Sequence, residues 1–163
     1  MANVFISYAD EDGLIARELT RKLEAEGQSV FRDHAIAAGD EFTTTIKRAL
    51  SEAAVVVVLL SRNSNRSQWV EAELRSALQS GHVIIPVLLD EEATDNWVWP
   101  LISDRHAIRI DSPAQIGEVV REVSRVLGTV PQAPRTPRAR WLILLVAVLS
   151  AVAGALVTWS FAK

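Results

Sequence analysis

The sequence predicts an α/β domain, a parallel sheet of five strands with helices on both faces, followed by one C-terminal transmembrane helix. Three observations predict it. Across residues 1–128, short apolar runs alternate with segments of helical apolar spacing. Two of those runs, Ala54–Leu60 and Val83–Leu89, are rich in β-branched residues and show no polar alternation, as strands covered on both sides do. From Trp141 to Ala162 the chain carries no charge.

Each element follows in order. Val4-Phe5-Ile6 is a short strand that ends in the polar turn Ser7–Gly13. Leu14–Glu26 places Leu14, Ile15, Leu19 and Leu23 on one helical stripe and stops at Gly27. Ser29–Phe31 is the second strand, followed by a loop through Gly39. Phe42, Ile46, Ala49 and Leu50 form the face of a second helix, and Ala54–Leu60 is the third strand. Ser67–Gln79 is the third helix, closed by Gly81. In Val83–Leu89, Pro86 lacks an N–H to give to a ladder, which puts this strand near the sheet edge. Asp90–His106, with Asp95, Asn96 and Pro100, is expected to be mostly irregular. Ala107–Ile110 is the fifth strand and Ala114–Leu127 the last helix. Strands joined by helices pair in parallel, and ligands bind beyond their carboxyl ends where the strand order reverses. In a sheet of order 2-1-3-4-5 that point lies between the first and third strands, bordered by the loops after Ile6 and Leu60.

Beyond the domain (1–128), residues 129–140 form a Pro/Arg-rich linker. Pro131, Pro134 and Pro137 recur at every third position, which favours an extended spacer with no core of its own. Residues 141–162, at about 1.5 Å each, make a helix of roughly 33 Å, enough to cross a hydrocarbon core of about 30 Å. Trp141 and Trp159 sit near its ends, as interfacial rings do. Arg135, Arg138 and Arg140 precede the span and only Lys163 follows it, so the positive-inside rule puts the N-terminal domain in the cytoplasm. The N-terminus has no basic n-region and too short an apolar run for a signal peptide. The expectation is a single-pass, tail-anchored membrane protein with the lipid bilayer as a partner.

Composition excludes several chemistries. The 163 residues carry a net charge of −3, and the four cations of the last 30 residues leave −7 on the remainder. An acidic body lacks the clustered Lys and Arg that phosphate backbones require, so no nucleic acid is expected as a partner. Absence of cysteine removes disulfides, thiolate nucleophiles and Cys-based zinc sites. His34, His82 and His106 have no partner at metal-ligand spacing, and no metal is expected. There is no Gly-x-Gly-x-x-Gly and no Walker loop, which argues against an ordinary dehydrogenase or nucleoside triphosphatase.

Several segments together resemble one family, the Toll/interleukin-receptor (TIR) domain, across about residues 3–128. Val4-Phe5-Ile6-Ser7-Tyr8 resembles its first box, and Val30-Phe31-Arg32-Asp33 its second strand and the start of its BB loop. Gly39 and Phe42 fit the end of that loop, and Ile85-Pro86-Val87 the fourth strand. Ser67-Gln68-Trp69-Val70-Glu71-Ala72-Glu73-Leu74 resembles its helix signature Ser-x-Trp-x-x-x-Glu-Leu. The resemblance, of bacterial type, implies a flavodoxin-like three-layer sandwich with strand order 2-1-3-4-5. It implies one of two functions. Some members only assemble through TIR–TIR contacts, while others cleave the nicotinamide–ribose bond of NAD+, with NAD as substrate and no cofactor. In cleaving members the glutamate of the helix signature is catalytic, which here is Glu73. Their other site residues fall on Ser7, Tyr8, Asp33, Gly39 and Trp69. Other TIR domains, in a homo-oligomer, are the implied partners, and bacterial defence or stress signalling the implied setting.

Glu73 also has a case on its own chemistry. Trp69 and Glu73 lie four apart and share a helix face, beside the core stripe of Val70, Leu74, Ala77 and Leu78. A carboxylate at the edge of a core can stabilise the oxocarbenium-like ribose formed when an N-glycosidic bond breaks. Nicotinamide leaves from a cationic pyridinium, so no acid is needed. An indole nearby can stack on a base. Glu71 points elsewhere and complements the helix dipole. Plainer readings stand beside these: Glu73 as a solvated surface acid, Trp69 and Tyr8 as packing, Asp33 as a loop cap and His34 as a solvated loop residue. One feature opposes NAD+ binding. The acidic turn Asp10-Glu11-Asp12 would repel a pyrophosphate unless it points away, with Arg32, Lys47 or Arg48 as possible counter-charges. That turn favours the rival reading, a non-enzymatic adaptor that recruits TIR domains at the membrane.

Overall fold

A computed structural model describes residues 3–32, 40–95 and 98–129, with the first four residues of the second helix described by backbone alone. The chain divides into two compact units, 1–130 and 131–163. The expected linker beyond Thr129 and the expected span 141–162 lie outside the described residues. Among the described residues no helix is long and apolar enough to cross a membrane.

The first unit is a five-stranded parallel sheet of order β2-β1-β3-β4-β5, made of β1 (Val4–Ser7), β2 (Val30–Arg32), β3 (Val55–Leu60), β4 (Val83–Leu88) and β5 (Ile108–Arg109). Helices α1 (Gly13–Ala25), α2 (Asp40–Glu52), α3 (Gln68–Gln79), α4 (Trp99–Ile102) and α5 (Ile116–Thr129) connect and flank the strands. β1 and β3 are completely buried, which is why their sequences show no alternation. The pleat still sorts their side chains. Val4, Ile6, Val55, Val57 and Leu59 face α1 and α5, whose Leu19, Leu23, Val119 and Val123 close that layer. Phe5, Val56, Val58 and Leu60 face the other way, onto Ile46 and Leu50 of α2 and Val70, Leu74 and Ala77 of α3. Phe5 stacks on Phe31 of β2, ring centroids 5.5 Å apart, which fastens the edge strand on the same side.

The helix ends are set locally. The Ser67 side chain accepts a hydrogen bond from the Val70 N–H and caps α3. Such a cap is worth about 1 kcal/mol, less than burial of one Leu74-sized side chain at about 1.5–3 kcal/mol, so packing on the sheet dominates. Gly81 (φ +69°) ends that helix and Gly27 (φ +80°) ends α1 in the left-handed conformation that glycine adopts without steric cost.

Two expectations need correction. Leu14, expected on the buried stripe of α1, is 73% exposed, and Ala16 and Thr20 are buried instead. Leu14 precedes Leu19 by five residues, about 140° around a helix of about 3.6 residues per turn, so it lies off the buried stripe of Ala16, Leu19, Thr20 and Leu23. Residues 90–106 are less irregular than expected: a 3-10 turn spans Glu91–Thr94, α4 follows, and Ala93, Val98 and Ile102 are buried against the sheet. As Pro86 led one to expect, β4 lies near the sheet edge, with β5 as the edge strand outside it. Leu88 C=O accepts from Ile110 N–H and Leu89 N–H donates to Leu60 C=O, which fixes the alternation of the backbone. Pro86 therefore turns its missing N–H to the β5 side, and β5 pairs only with Val87 and Leu88.

Candidate active site

At the carboxyl end of β1 two adjacent side chains leave the strand on opposite faces. Ser7 turns toward α3, while Tyr8 enters the core layer under α1. Both are buried. The resemblance groups them in one site; the structure puts the sheet between them.

On the Ser7 side lies Glu73. Four residues after Trp69, it falls on the flank of α3 that meets β1 and α2, and it is 5% exposed. Ser7 Oγ donates to Glu73 Oε2 at 2.5 Å. A hydroxyl on a carboxylate is a charge-assisted bond, shorter than a neutral one, and it fixes the orientation of the acid. Glu73 is thus not the solvated surface acid that a helical glutamate usually is. Trp69, one turn earlier, is 56% exposed, so its indole is not plain core packing. Trp69, Ala72, Glu73 and Ser76 form one wall of a pocket of about 90 Å³, and Ile46, Lys47 and Leu50 of α2 form the other. Among the described residues the lining is apolar apart from Glu73, Lys47 and Ser76. Glu71 accepts from Arg75 at 3.1 Å and lines a different recess, beside Ser67 and Val70.

On the Tyr8 side is a separate hollow of about 370 Å³, lined by Tyr8, Asp10, Glu11, Gly13, Leu14, Arg17 and Arg32. Among the described residues it shares none with the Glu73 pocket. Asp33, Gly39 and His34 lie outside the described residues.

The acidic turn resolves into two parts. Asp12 is buried, accepting Ser61 Oγ at 2.5 Å and Asn63 Nδ2 at 3.0 Å. Ser61 Oγ in turn accepts the N–H groups of Asn63 and Ser64 at 3.1 Å. This knot ties the loop after β1 to the loop after β3, the two that border the switch point, so Asp12 is structural. Asp10 and Glu11 are exposed and face the Tyr8 hollow. The three cations also separate: Arg48 pairs with Glu52 at 3.0 Å, Arg32 lines the Tyr8 hollow, and Lys47 lines the Glu73 pocket.

The Ser7–Glu73 bond, the Asp12 knot and the Lys47 position escape sequence reading, because each joins residues far apart in the chain. One signal was available for the first. The pleat puts Ser7 on the same face as Phe5, which an amphipathic helix with Val70 and Leu74 inward must cover. Arg21 holds Glu18, and Arg125 holds Glu122, below the usual range through side-chain hydrogen bonds. Among the described residues no group of His, Cys, Asp or Glu could hold a metal ion.

Comparison with known proteins bears on this arrangement. The family model for the TIR domain matches residues 4–121. The chain belongs to the TIR domain family. A curated relative, NAD(+) hydrolase TcpA of Theionarchaea archaeon (strain DG-70-1), is 29% identical over 133 residues, covering 77% of this chain. The chain spans 40% of that relative's length. Among solved structures, the TIR domain of the Toll-related receptor TRR-2 from Hydra magnipapillata matches with a TM-score of 0.62 at 22% identity, covering 76% of this chain and 99% of that one. The CMP N-glycosidase BcmB of Clostridium botulinum matches with a TM-score of 0.57 at 18% identity, covering 75% and 97%. At these identities the two structures establish the flavodoxin-like fold of this TIR domain.

Proposed function

We propose that this TIR domain cleaves NAD+ at the nicotinamide–ribose bond, with Glu73 as the catalytic residue. The observation that carries the reading is the buried Glu73 carboxylate, fixed by Ser7 Oγ at the wall of a pocket that the exposed indole of Trp69 borders. As the bond from C1′ to the pyridinium nitrogen breaks, its electron pair leaves with nicotinamide and the ribose becomes an oxocarbenium-like cation. A preorganised carboxylate in a mostly apolar pocket stabilises that charge more than water would. Water then adds at C1′ and releases a proton to give ADP-ribose; capture by an adenine nitrogen or a ribose hydroxyl gives a cyclic isomer. Trp69 offers a face for stacking on a base. The name of the archaeal relative, an NAD(+) hydrolase, supports the substrate, and the N-glycosidase of the same fold supports the bond type.

The adaptor reading rested on the acidic turn. Asp12 is bound to Ser61 and Asn63, and Asp10 and Glu11 line the other hollow, so that objection to NAD+ loses its force at this pocket. Within the same proposal, residues 141–162 anchor the chain in a membrane with the domain in the cytoplasm, self-assembly gates the activity, and NAD+ loss or a nucleotide signal serves bacterial defence or stress signalling. Incubating the purified full chain with NAD+ and following nicotinamide tests the reading. Release that depends on Glu73 supports it, and none at any protein concentration sinks it.

A further inference from the structure

The pocket beside Glu73 has a negative wall and a positive one, and we infer that Lys47 on the positive wall binds the phosphate at C5′ of the ribose whose N-glycosidic bond faces Glu73. This rests on the proposed cleavage of a nucleotide at that pocket and adds which part of the nucleotide holds it there: the substrates are 5′-phosphorylated N-ribosides.

Among the described residues, Lys47 and Glu73 are the formal charges lining the pocket; Ile46, Leu50, Trp69 and Ala72 are apolar and Ser76 is neutral. Lys47 makes no ion pair with any described residue, whereas its neighbour Arg48 is engaged by Glu52. Its ammonium is therefore available on the α2 wall, with no carboxylate within ion-pair distance among the described residues. The acidic residues that would repel a phosphate, Asp10 and Glu11, line the hollow on the other face of the sheet. A 5′-phosphorylated riboside has matching polarity. Positive charge develops at C1′ during bond breaking, and the phosphate sits across the ring at C5′. Setting C1′ toward α3 points the phosphate toward α2. Beside Ile46, Leu50 and Trp69 an ammonium–phosphate pair is screened less than on an open surface. Binding energy from this non-reacting phosphate holds C1′ against the carboxylate.

The test compares two substrates on the full chain in detergent, NAD+ and nicotinamide riboside, which has the same scissile bond without the phosphate. Lys47→Gln should raise KM for NAD+ about tenfold, the scale of one lost charge-assisted hydrogen bond. It should leave kcat/KM for the riboside unchanged, and Lys47→Arg should recover most of the loss. Equal losses on both substrates, or no loss on NAD+, would overturn the inference. If the wild-type chain cleaves neither compound, calorimetric binding of ribose 5-phosphate and ribose decides independently. Tighter binding of the phosphate ester that vanishes in Lys47→Gln supports the role of Lys47 even though the cleavage reading has failed. Equal binding of the two sugars, or ester binding that survives the substitution, rejects it. Lys47 is exposed, so an unchanged unfolding midpoint is expected for the variant.

Discussion

Ser7 Oγ and Glu73 Oε2 lie 2.5 Å apart although 66 positions separate the two residues, so the end of the first strand holds the acid of the third helix. The arrangement assigns different kinetics to two possible roles of Ser7. If it orients the carboxylate, Ser7→Ala lowers kcat for nicotinamide release by about tenfold and leaves KM near wild type. If it touches NAD+, as the family resemblance implies, KM rises instead. Steady-state kinetics with varied NAD+ separates them, and the first outcome is expected because the hydroxyl proton is already committed to Glu73.

Glu73→Gln preserves size and removes charge. It should cut nicotinamide release at least about 100-fold, as loss of one electrostatic stabiliser does. Glu71→Gln, whose partner Arg75 is on the surface, should change turnover little. Circular dichroism establishes that both variants are folded. Near-wild-type turnover in Glu73→Gln would remove the catalytic assignment.

Asp12→Ala strips two donors, Ser61 Oγ and Asn63 Nδ2, of their acceptor in a mostly buried site. The expected cost is about 2 kcal/mol, read as a lower denaturant midpoint with unchanged slope. Asp10→Ala, at an exposed position, should shift the midpoint far less.

Ending the chain at Pro131 removes the second unit and leaves the first, whose buried core runs from Val4 to Leu127. The truncated protein should stay folded without detergent, while the full chain should need it. Digestion of the N-terminal domain by protease added to intact cells would reverse the proposed orientation.

Gating by assembly predicts that the truncated domain turns over NAD+ with a rate per molecule that rises with concentration. Dense tethering to liposomes through an added C-terminal tag should raise it further, since confinement increases effective concentration. Specific activity that is flat across dilution and unmoved by tethering would mean that one chain completes the site.

Much of the fold was legible because burial writes itself into composition. Val55–Leu60 and Val83–Leu88 could be read as central strands from their unbroken apolar runs, and Ser67 and Gly81 bracket α3 through local capping. Trp69 and Glu73 could be read as one face because helical spacing is a local property. Leu14 misled because it is apolar yet out of phase with the stripe of Ala16, Leu19, Thr20 and Leu23, which a tally of apolar residues does not register. The charges of the site were the least legible. Asp12 and Asp10 look alike in sequence, yet only contact with Ser61 and Asn63 makes one structural. Lys47 and Arg48 differ in availability because Glu52, one turn on, answers only the arginine.

Pro86 bears on how copies of this domain can meet. Before Val87 β4 has no β5 partner; the N–H positions facing that side belong to Ile84 and residue 86, and both residues are buried. Proline leaves the second of these blank, so a strand arriving from another molecule would find a broken row of donors there. Continuous sheet growth across neighbouring molecules is thus blocked at that stretch. Crowding of these domains can therefore raise their contact frequency without inviting fibre formation at this stretch.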